Sequence, residues 1–389
     1  MKKTLIITTL LLVCVVQAAW AQKEQFNPVQ HGVTSLMVAP DSRGGGMGDI
    51  GAATDPDVYS QYWNPAKYPF NIARAGLGIS YTPWLRQLVS DMDLAYVSGF
   101  YRIGDYSALS AGLRYFSLGE VGLGEYDQDG NPVNTINPYE MAVDVAYSRM
   151  LSETFSAAVA LRFIYSDLAW NEAEDITPGS AFAADIAFYY NNYILLGQRE
   201  CMIGLGANIS NIGSKISYDE GNTSEFVPTN FRIGASLLIP IDEYNTISFS
   251  ADANKLLVPT RPMQAEDESD QDYQDRLQKD YYDLSPITGI FKSFNDAPDG
   301  FSEELKEIQW SVGAEYMYNN QFAVRAGYHH EVPYKGNRKY WTVGAGFKMS
   351  VFSLDASYIV SVAQTNPLDK TLRFSLSFDM DGLRDIFGR

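Results

Sequence analysis

The feature that most constrains the fold is a two-residue alternation of apolar with small or polar side chains, which begins near residue 72. In the run 153–167, for example, apolar residues from Phe155 to Tyr165 alternate with Ser156, Arg162 and other small or polar residues. A period of two predicts a β-strand whose two faces meet different surroundings. We count fourteen such runs, at 72–82, 91–104, 107–119, 139–151, 153–167, 180–191, 201–212, 229–239, 245–255, 307–319, 321–331, 338–349, 351–361 and 370–380.

The links between these runs alternate in length. After the second, fourth, eighth, tenth and twelfth runs the links are tight, and a moderate link, 192–200, follows the sixth. Most links after odd-numbered runs are longer, notably 120–138, 168–179, 213–228 and 256–306. Bacterial outer-membrane barrels combine short periplasmic turns with long surface loops. We therefore predict an all-β fold, a fourteen-stranded antiparallel transmembrane β-barrel over 72–389.

The first 21 residues have the layout of a secretory signal peptide. Lys2 and Lys3 precede an apolar run, and Ala19-Trp20-Ala21 forms an A-x-A cleavage site. The apolar run is too short for a membrane-spanning helix, and no later segment reaches the roughly 18 apolar residues that one needs. We expect 1–21 to be removed on export.

The composition narrows the possible functions. The net charge of −18 argues against nucleic acid as a partner. The 26 Tyr and 20 Phe suit the aromatic girdles of a membrane barrel. Only Cys201 follows the predicted cleavage site, so an internal disulfide framework is excluded. We expect no cofactor and no metal site.

The small and polar faces of the predicted strands carry charges of both signs. Facing lipid, each charge would cost roughly 2–4 kcal/mol near the bilayer midplane, so we place these side chains in the lumen. We favour a structural salt-bridge network and leave a substrate pathway as the alternative. These residues, together with the uncharged Asn208, are Arg114, Asp144, Arg162, Asp185, Arg232, Asp252, Glu315, Arg325, Lys348, Asp355 and Arg373.

Residues 22–71 precede the first strand and contain a glycine-rich stretch. Gly46, Gly48 and Gly51 satisfy G-x-G-x-x-G, but a dinucleotide site requires a buried strand before the glycines and a helix after them. Here a polar stretch precedes them, and the glycines better suit a backbone packed closely inside a barrel. We predict a plug. Its candidate residues are Arg43, Gly46, Met47, Gly48, Trp63, Asn64 and Pro65.

The stretch from Arg43 through Met47-Gly48 to Trp63-Asn64-Pro65-Ala66, followed by strands, resembles the opening of FadL-like outer-membrane barrels of the PorV/PorQ family. Chain length, strand count and loop layout are similar as well. The resemblance implies an outer-membrane component of the type IX secretion system that associates with a SprA-type translocon. It further implies that cargo is received through its carboxy-terminal signal domain and handed to a PorU/PorQ/PorZ-like attachment complex. Outer-membrane lipid, including lipopolysaccharide, is the other expected partner.

The longest link, 256–306, is acidic. It is predicted to be either a solvated flap or a docking surface for translocon or cargo, anchored by aromatic side chains. The candidate anchors are Tyr281, Tyr282, Phe291 and Phe294.

Two further functions stay open. One is transport of hydrophobic molecules, as in FadL-type barrels. The other is lipid A deacylation, in which His329 or His330 would pair with a serine and a carboxylate. We expect no enzyme, because H-E-x-x-H and G-x-S-x-G motifs are absent from the sequence.

Overall fold

The computed structural model describes residues 26–86, 89, 91–126, 132–168, 177–219, 221, 223–265, 267–298, 300–349, 351–362 and 368–380. The predicted signal peptide lies outside these residues. None of the helices in these ranges is long and apolar enough to cross a bilayer.

Fourteen antiparallel strands close into a barrel, which confirms the predicted fold class. Barrel strands adjacent in the chain pair with each other, and β1 pairs with β16 to complete the ring. The barrel strands are β1 (Ala75–Pro83), β2 (Asp93–Ile103), β3 (Ser107–Ser117), β6 (Tyr139–Ser152), β7 (Phe155–Asp167), β8 (Gly179–Leu196), β9 (Arg199–Gly213), β10 (Asn230–Pro240), β11 (Asn245–Leu256), β12 (Gln309–Tyr318), β13 (Phe322–His330), β14 (Lys339–Lys348), β15 (Phe352–Ser361) and β16 (Leu372–Asp379). Strands β4 (Val121–Tyr126) and β5 (Pro132–Ile136) form a separate hairpin between β3 and β6.

The structure corrects one predicted link and one predicted boundary. The link 192–200 is wrong, because β8 and β9 continue to pair through Leu196 and Arg199. Asn191 and Asn192 interrupt the apolar alternation, but the backbone ladder runs on past them. Gly197 then adopts a φ of 68°, the left-handed conformation that a tight turn needs. The first strand begins at Ala75 rather than at residue 72.

The two faces of the barrel differ as the alternation predicts. Outward side chains such as Leu161 and Val324 are apolar and exposed, whereas inward ones such as Ser156 and Arg162 are buried. An apolar outer band around a polar interior is the design of an outer-membrane barrel. The protein is therefore an outer-membrane barrel, and its long links mark the cell-surface end, here called the outer end. The short turns mark the inner end.

Two segments that are not part of the barrel wall contain all the α-helices of the described residues. The plug, residues 26–71, contains two 3-10 helices (Thr34–Met37 and Pro65–Phe70) and two short α-helices, α1 (Ser42–Gly46) and α2 (Ser60–Trp63). The cap, residues 257–308, links β11 to β12. It contains α3 (Asp270–Leu277), a π-helical turn (Gln278–Tyr282), α4 (Pro286–Lys292) and α5 (Phe301–Lys306). A 3-10 turn, Pro333–Lys335, lies between β13 and β14.

Candidate functional site: a plugged lumen and a capped outer end

The plug passes through the lumen from the outer end to the inner end. Near the outer end, the backbone N–H of Gly32 donates to the carbonyl of Phe226 at 2.9 Å. At the inner end, Arg102 of β2 donates to the carbonyl of Asn71 at 2.7 Å. Both ends of the plug are therefore fastened to the barrel or its loops.

Glycines of the plug lie directly on glycines of the wall. A Cβ added at Gly327 would lie 2.0 Å from the carbonyl carbon of Met47, and one at Gly313 would lie 2.4 Å from its oxygen. A Cβ added at Gly344 would lie 3.1 Å from the Cα of Gly46. The predicted plug residues 46–48 thus pack on β12, β13 and β14 at a distance that excludes side chains.

The next turn of the plug packs on the adjoining part of the wall, from β8 to β11. A Cβ at Gly206 of β9 would lie 1.9 Å from the carbonyl oxygen of Ala52. Asp252 of β11 accepts from the backbone N–H groups of Gly51 and Ala52, each at 2.9 Å. Asn64 donates to the carbonyls of Ala52 and Phe188, each at 2.9 Å. The chain is held here by backbone contact and by hydrogen bonds.

Trp63 packs against the glycine-rich turn of the plug. Its ring fills the space beside Gly44 and Gly51, where an added Cβ would come within 2.2 to 2.5 Å of ring atoms. Its indole N–H donates to Asp41 at 2.6 Å, and Asp41 also accepts from the backbone of Gly44 at 2.8 Å. Pro65 is fully buried and opens the 3-10 helix that Asn64 caps. Trp63 therefore fixes the conformation of the segment that meets the wall.

A chain of alternating charges joins the plug to three strands. Arg43 pairs with Asp57 and with Glu315 of β12, each at 3.1 Å. Glu315 also pairs with Arg325 of β13, and Arg325 with Asp355 of β15 at 2.6 Å. Removing any one member of this chain should destabilise the protein strongly, because the partner left behind would remain a buried charge without its counter-charge.

The other predicted lumen charges fall into two groups. Some pair across the lumen face: Arg162 pairs with Asp185 at 2.9 Å and lies 3.6 Å from Asp144. Others hold the plug: Arg373 of β16 pairs with Asp49 at 2.6 Å. The lumen charges thus serve the plug as well as one another, which the sequence interpretation did not anticipate.

Arg114 and Arg232 flank the ring of Tyr62. Their guanidinium carbons lie 5.0 Å and 5.4 Å from its centroid. Arg114 donates to the carbonyls of Ser35 and Val38, and Arg232 to the side-chain oxygen of Asn254. A cavity of about 20 Å³ lies among these side chains, which is room for about one water molecule.

Lys67 is a plug residue that the sequence interpretation missed. It is fully buried and donates to the carbonyl of Gly51 at 2.8 Å and to the hydroxyl of Thr54 at 3.1 Å. The only sequence signal was a lysine directly after Asn64-Pro65-Ala66, within a segment predicted to be internal.

A second cavity of about 690 Å³ lies at the inner end, beneath the plug. Its lining combines the apolar side chains of Met202, Leu238 and Met317 with charged ones such as Asp57 and Lys348. Since the plug fills the lumen above it, the cavity faces the inner end of the barrel. Within the described ranges, no three His, Cys, Asp or Glu side chains are grouped as metal ligands.

The structure brings together part of the hypothetical deacylase site. Ser311 Oγ lies 2.9 Å from His329 Nδ1, and His329 stacks on Tyr340 with ring centroids 4.8 Å apart. His330 is separate, on the outward face, stacked on Trp310. Ser311 and His329 are buried and line neither cavity, so a substrate cannot reach this pair in the conformation described.

The cap shares an apolar core with the link between β9 and β10. Tyr281 is 0% exposed and packs with Phe226, Val258 and Leu277. Its hydroxyl donates to Glu225 at 3.0 Å. Tyr281, one of the predicted partner-binding anchors, therefore lies inside this core and not on the surface. Tyr282 is half-buried against this core and accepts from Arg261 at 2.8 Å.

The other two predicted anchors lie on the cap surface. Phe291 is 73% exposed and Phe294 is 49% exposed. On α4, Phe291 and Ile287 stand four residues apart on one face, opposite Gly289, which packs on Phe226. The structure thus separates the four aromatics into two core residues and two surface residues.

Comparison with solved structures finds several that are similar to this chain, including the following three. The toluene transporter TbuX of Ralstonia pickettii is 13% identical, with a TM-score of 0.46 over 88% of this chain and 96% of that one. The toluene transporter TodX of Pseudomonas putida is 10% identical, with a TM-score of 0.44 over 91% and 99%. A FadL homologue of Pseudomonas aeruginosa is 11% identical, with a TM-score of 0.42 over 87% and 98%.

Sequence comparison gives a family match. No curated protein sequence matches the chain. The family described as Type IX secretion system protein PorV matches residues 21–263. The match spans the plug, strands β1 to β11 and the first residues of the cap.

Proposed function

The chain belongs to the PorV family of type IX secretion system proteins, and from this premise we propose that it carries cargo at the cell surface. In this role it takes the carboxy-terminal signal domain of secreted cargo from a SprA-type translocon. It then passes the cargo to a PorU/PorQ/PorZ-like attachment complex. The role is binding and transfer, without catalysis.

The observation that carries the proposal is the filled lumen. The plug backbone lies directly on wall glycines at β12 to β14 and again at β9. The Arg43–Glu315 pair holds it to β12 as well, and the Arg373–Asp49 pair holds it to β16. A polypeptide cannot pass through such a lumen, so cargo has to be handled on an outside surface.

The cap is the surface that best suits this task. It lies at the outer end, and its surface carries Ile287, Phe291 and Phe294. Exposed aromatic side chains are the usual anchors of protein interfaces. A shuttle must release what it binds, and a small apolar patch with an acidic surround suits a transient interface.

Affinity purification from native outer membranes, followed by mass spectrometry, tests this function. We expect the wild-type protein to co-purify with translocon components and with cargo signal domains. Phe291→Ser should reduce cargo recovery, whereas Gln274→Ser, at an exposed position on α3, should leave it unchanged. Recovery of barrel-assembly factors and lipid alone would contradict the proposal.

The inner cavity favours a second candidate, transport of a hydrophobic molecule. Its volume of about 690 Å³ falls in the range of small-ligand sites, and Met202, Leu238 and Met317 supply apolar surface. Native mass spectrometry of the purified protein would reveal a retained acyl chain. If the cavity is the binding site, Met317→Trp should displace this acyl chain. If the shuttle role is correct, the same substitution should leave cargo recovery unchanged.

A further inference from the structure

Helix α5 turns its charged side toward the protein and its apolar side outward. Glu303, Glu304 and the following Glu307 are buried. Phe301 is 71% exposed and Leu305 is 53% exposed, and these two stand four residues apart on one face. In water the reverse orientation is the stable one for an amphipathic helix, so something else must stabilise this arrangement.

Two lysines fix the helix in this orientation. Lys255 of β11 pairs with Glu304 at 2.8 Å and with Glu307 at 2.6 Å. Lys335, from the turn between β13 and β14, pairs with Glu303 at 2.5 Å and with Glu307 at 3.0 Å. Rotation of α5 would leave both buried lysines without their carboxylates, which is costly. Phe301 and Leu305 are thereby held on the exposed side.

The position of Lys255 shows which side of the wall α5 covers. Asp252 and Asn254 of the same strand face the lumen, where they contact the plug and Arg232. Lys255 follows Asn254 and therefore points to the outward face. Since Glu304 of α5 pairs with Lys255, the helix packs at the outer end of β11, on its outward side.

The outward face beside α5 carries a cluster of aromatic rings. Trp310, four residues after Lys306, lies 5.6 Å from Tyr328 between ring centroids, and Tyr328 lies 4.7 Å from Trp341. Tyr and Trp on the outward rim of a barrel mark the headgroup level of the bilayer. Ala253, two residues before Lys255 on the same outward face, pairs with Trp310. The helix that carries Phe301 and Leu305 therefore covers the outer end of the face that carries these rings.

We propose that α5 is an interfacial membrane anchor, with Phe301 and Leu305 inserted at the headgroup boundary of the outer leaflet. The occupant of this patch is lipid, because the patch is continuous with the lipid-facing band of the wall. The anchor would hold the rim of the cap against the membrane while the rest of the cap stays in water. This inference does not depend on the secretion role.

Spin-label accessibility in nanodiscs tests the anchor. Phe301→Cys is labelled in a Cys201→Ala background, and Gln274→Cys on α3 serves as the matched exposed position. The protein is the full mature chain in phosphatidylcholine nanodiscs. We expect the ratio of oxygen to nickel-chelate collision rates to be about tenfold higher at 301 than at 274, because an interfacial helix face lies ~5–10 Å below the surface.

Two outcomes would overturn the proposal. Equal ratios at the two positions would show that Phe301 lies in water. Shielding at 301 that arises only when translocon or cargo is added would assign the patch to a protein partner. Should Phe301→Cys fail to fold, Leu305→Cys gives the same comparison from the same helix face.

Discussion

The plug and the cap are both long non-barrel segments, but they are attached to the wall in different ways. The plug is fastened along its length by contact with wall glycines such as Gly206 and by buried charges such as Arg43. The cap instead packs around Tyr281, in an apolar core that it shares with Phe226 of the link between β9 and β10. Lys255 and Lys335 tie its last helix to the strand ends. The difference predicts that the plug unfolds with the barrel, whereas the cap can open alone.

The largest effect is expected from Glu315→Gln in the charge chain. The substitution leaves Arg43 and Arg325 buried without their shared carboxylate, which costs about 3–5 kcal/mol. Denaturant unfolding of the protein in detergent micelles measures it. Glu268→Gln, which weakens the partly exposed Glu268–Arg276 pair of the cap, should leave the unfolding midpoint of the barrel unchanged. Similar midpoints for the two variants would contradict the account of the plug.

A second substitution tests the glycine contacts. The methyl group of Gly206→Ala has no room beside Ala52, and overpacking of this kind costs about 1–3 kcal/mol. Gly99→Ala on β2 is the control, since its added Cβ would meet the nearest atom at 3.2 Å. Unfolding in denaturant compares the two. If Gly206→Ala is as stable as Gly99→Ala, the plug is not seated as described.

A third substitution tests the independence of the cap. Tyr281→Ala removes the ring at the centre of the cap core, so the cap should be cleaved faster by added protease. The unfolding midpoint of the barrel should stay within error of the wild type. A fall in that midpoint comparable with the Glu315→Gln effect would show that cap and barrel unfold together.

The smallest effect concerns pH. Burial, with Glu304 and Glu307 nearby, raises the pKa of Asp296 in the cap from 3.8 to about 6. Between these values the closed cap binds more protons than the open one, so its stability is greatest below pH 3.8 and falls as the pH rises through about 6. Amide exchange of residues 257–308, corrected for intrinsic rates, should show more opening at pH 7 than at pH 5. Asp296→Asn should flatten this dependence.

The sequence predicted the wall well because lipid on one face and a polar lumen on the other force a strict alternation. Runs such as 153–167 follow this pattern closely, and the closed barrel confirms the strands derived from it. The alternation also placed Arg162 and Glu315 in the lumen. A single side chain still cannot reveal its partner, since pairing across a lumen depends on strand register and on the path of the plug.

The cap could not be predicted in the same way. Its helices are short, and they do not follow the two-residue alternation that the barrel wall requires, so Tyr281 and Phe291 were indistinguishable in the sequence. The structure buries the first ring and exposes the second. The sequence likewise could not show that Lys255 is buried and paired, because its two partner carboxylates lie about 50 residues further along the chain.

The central claim is that cargo is handled at the capped outer end and not within the barrel. Site-specific photo-crosslinking in secreting cells tests it, with the crosslinker placed at Phe291 on the cap or at Met317 in the inner cavity. We predict crosslinks to cargo signal domains from 291 and none from 317. Crosslinks to cargo from 317, with none from 291, would contradict the account.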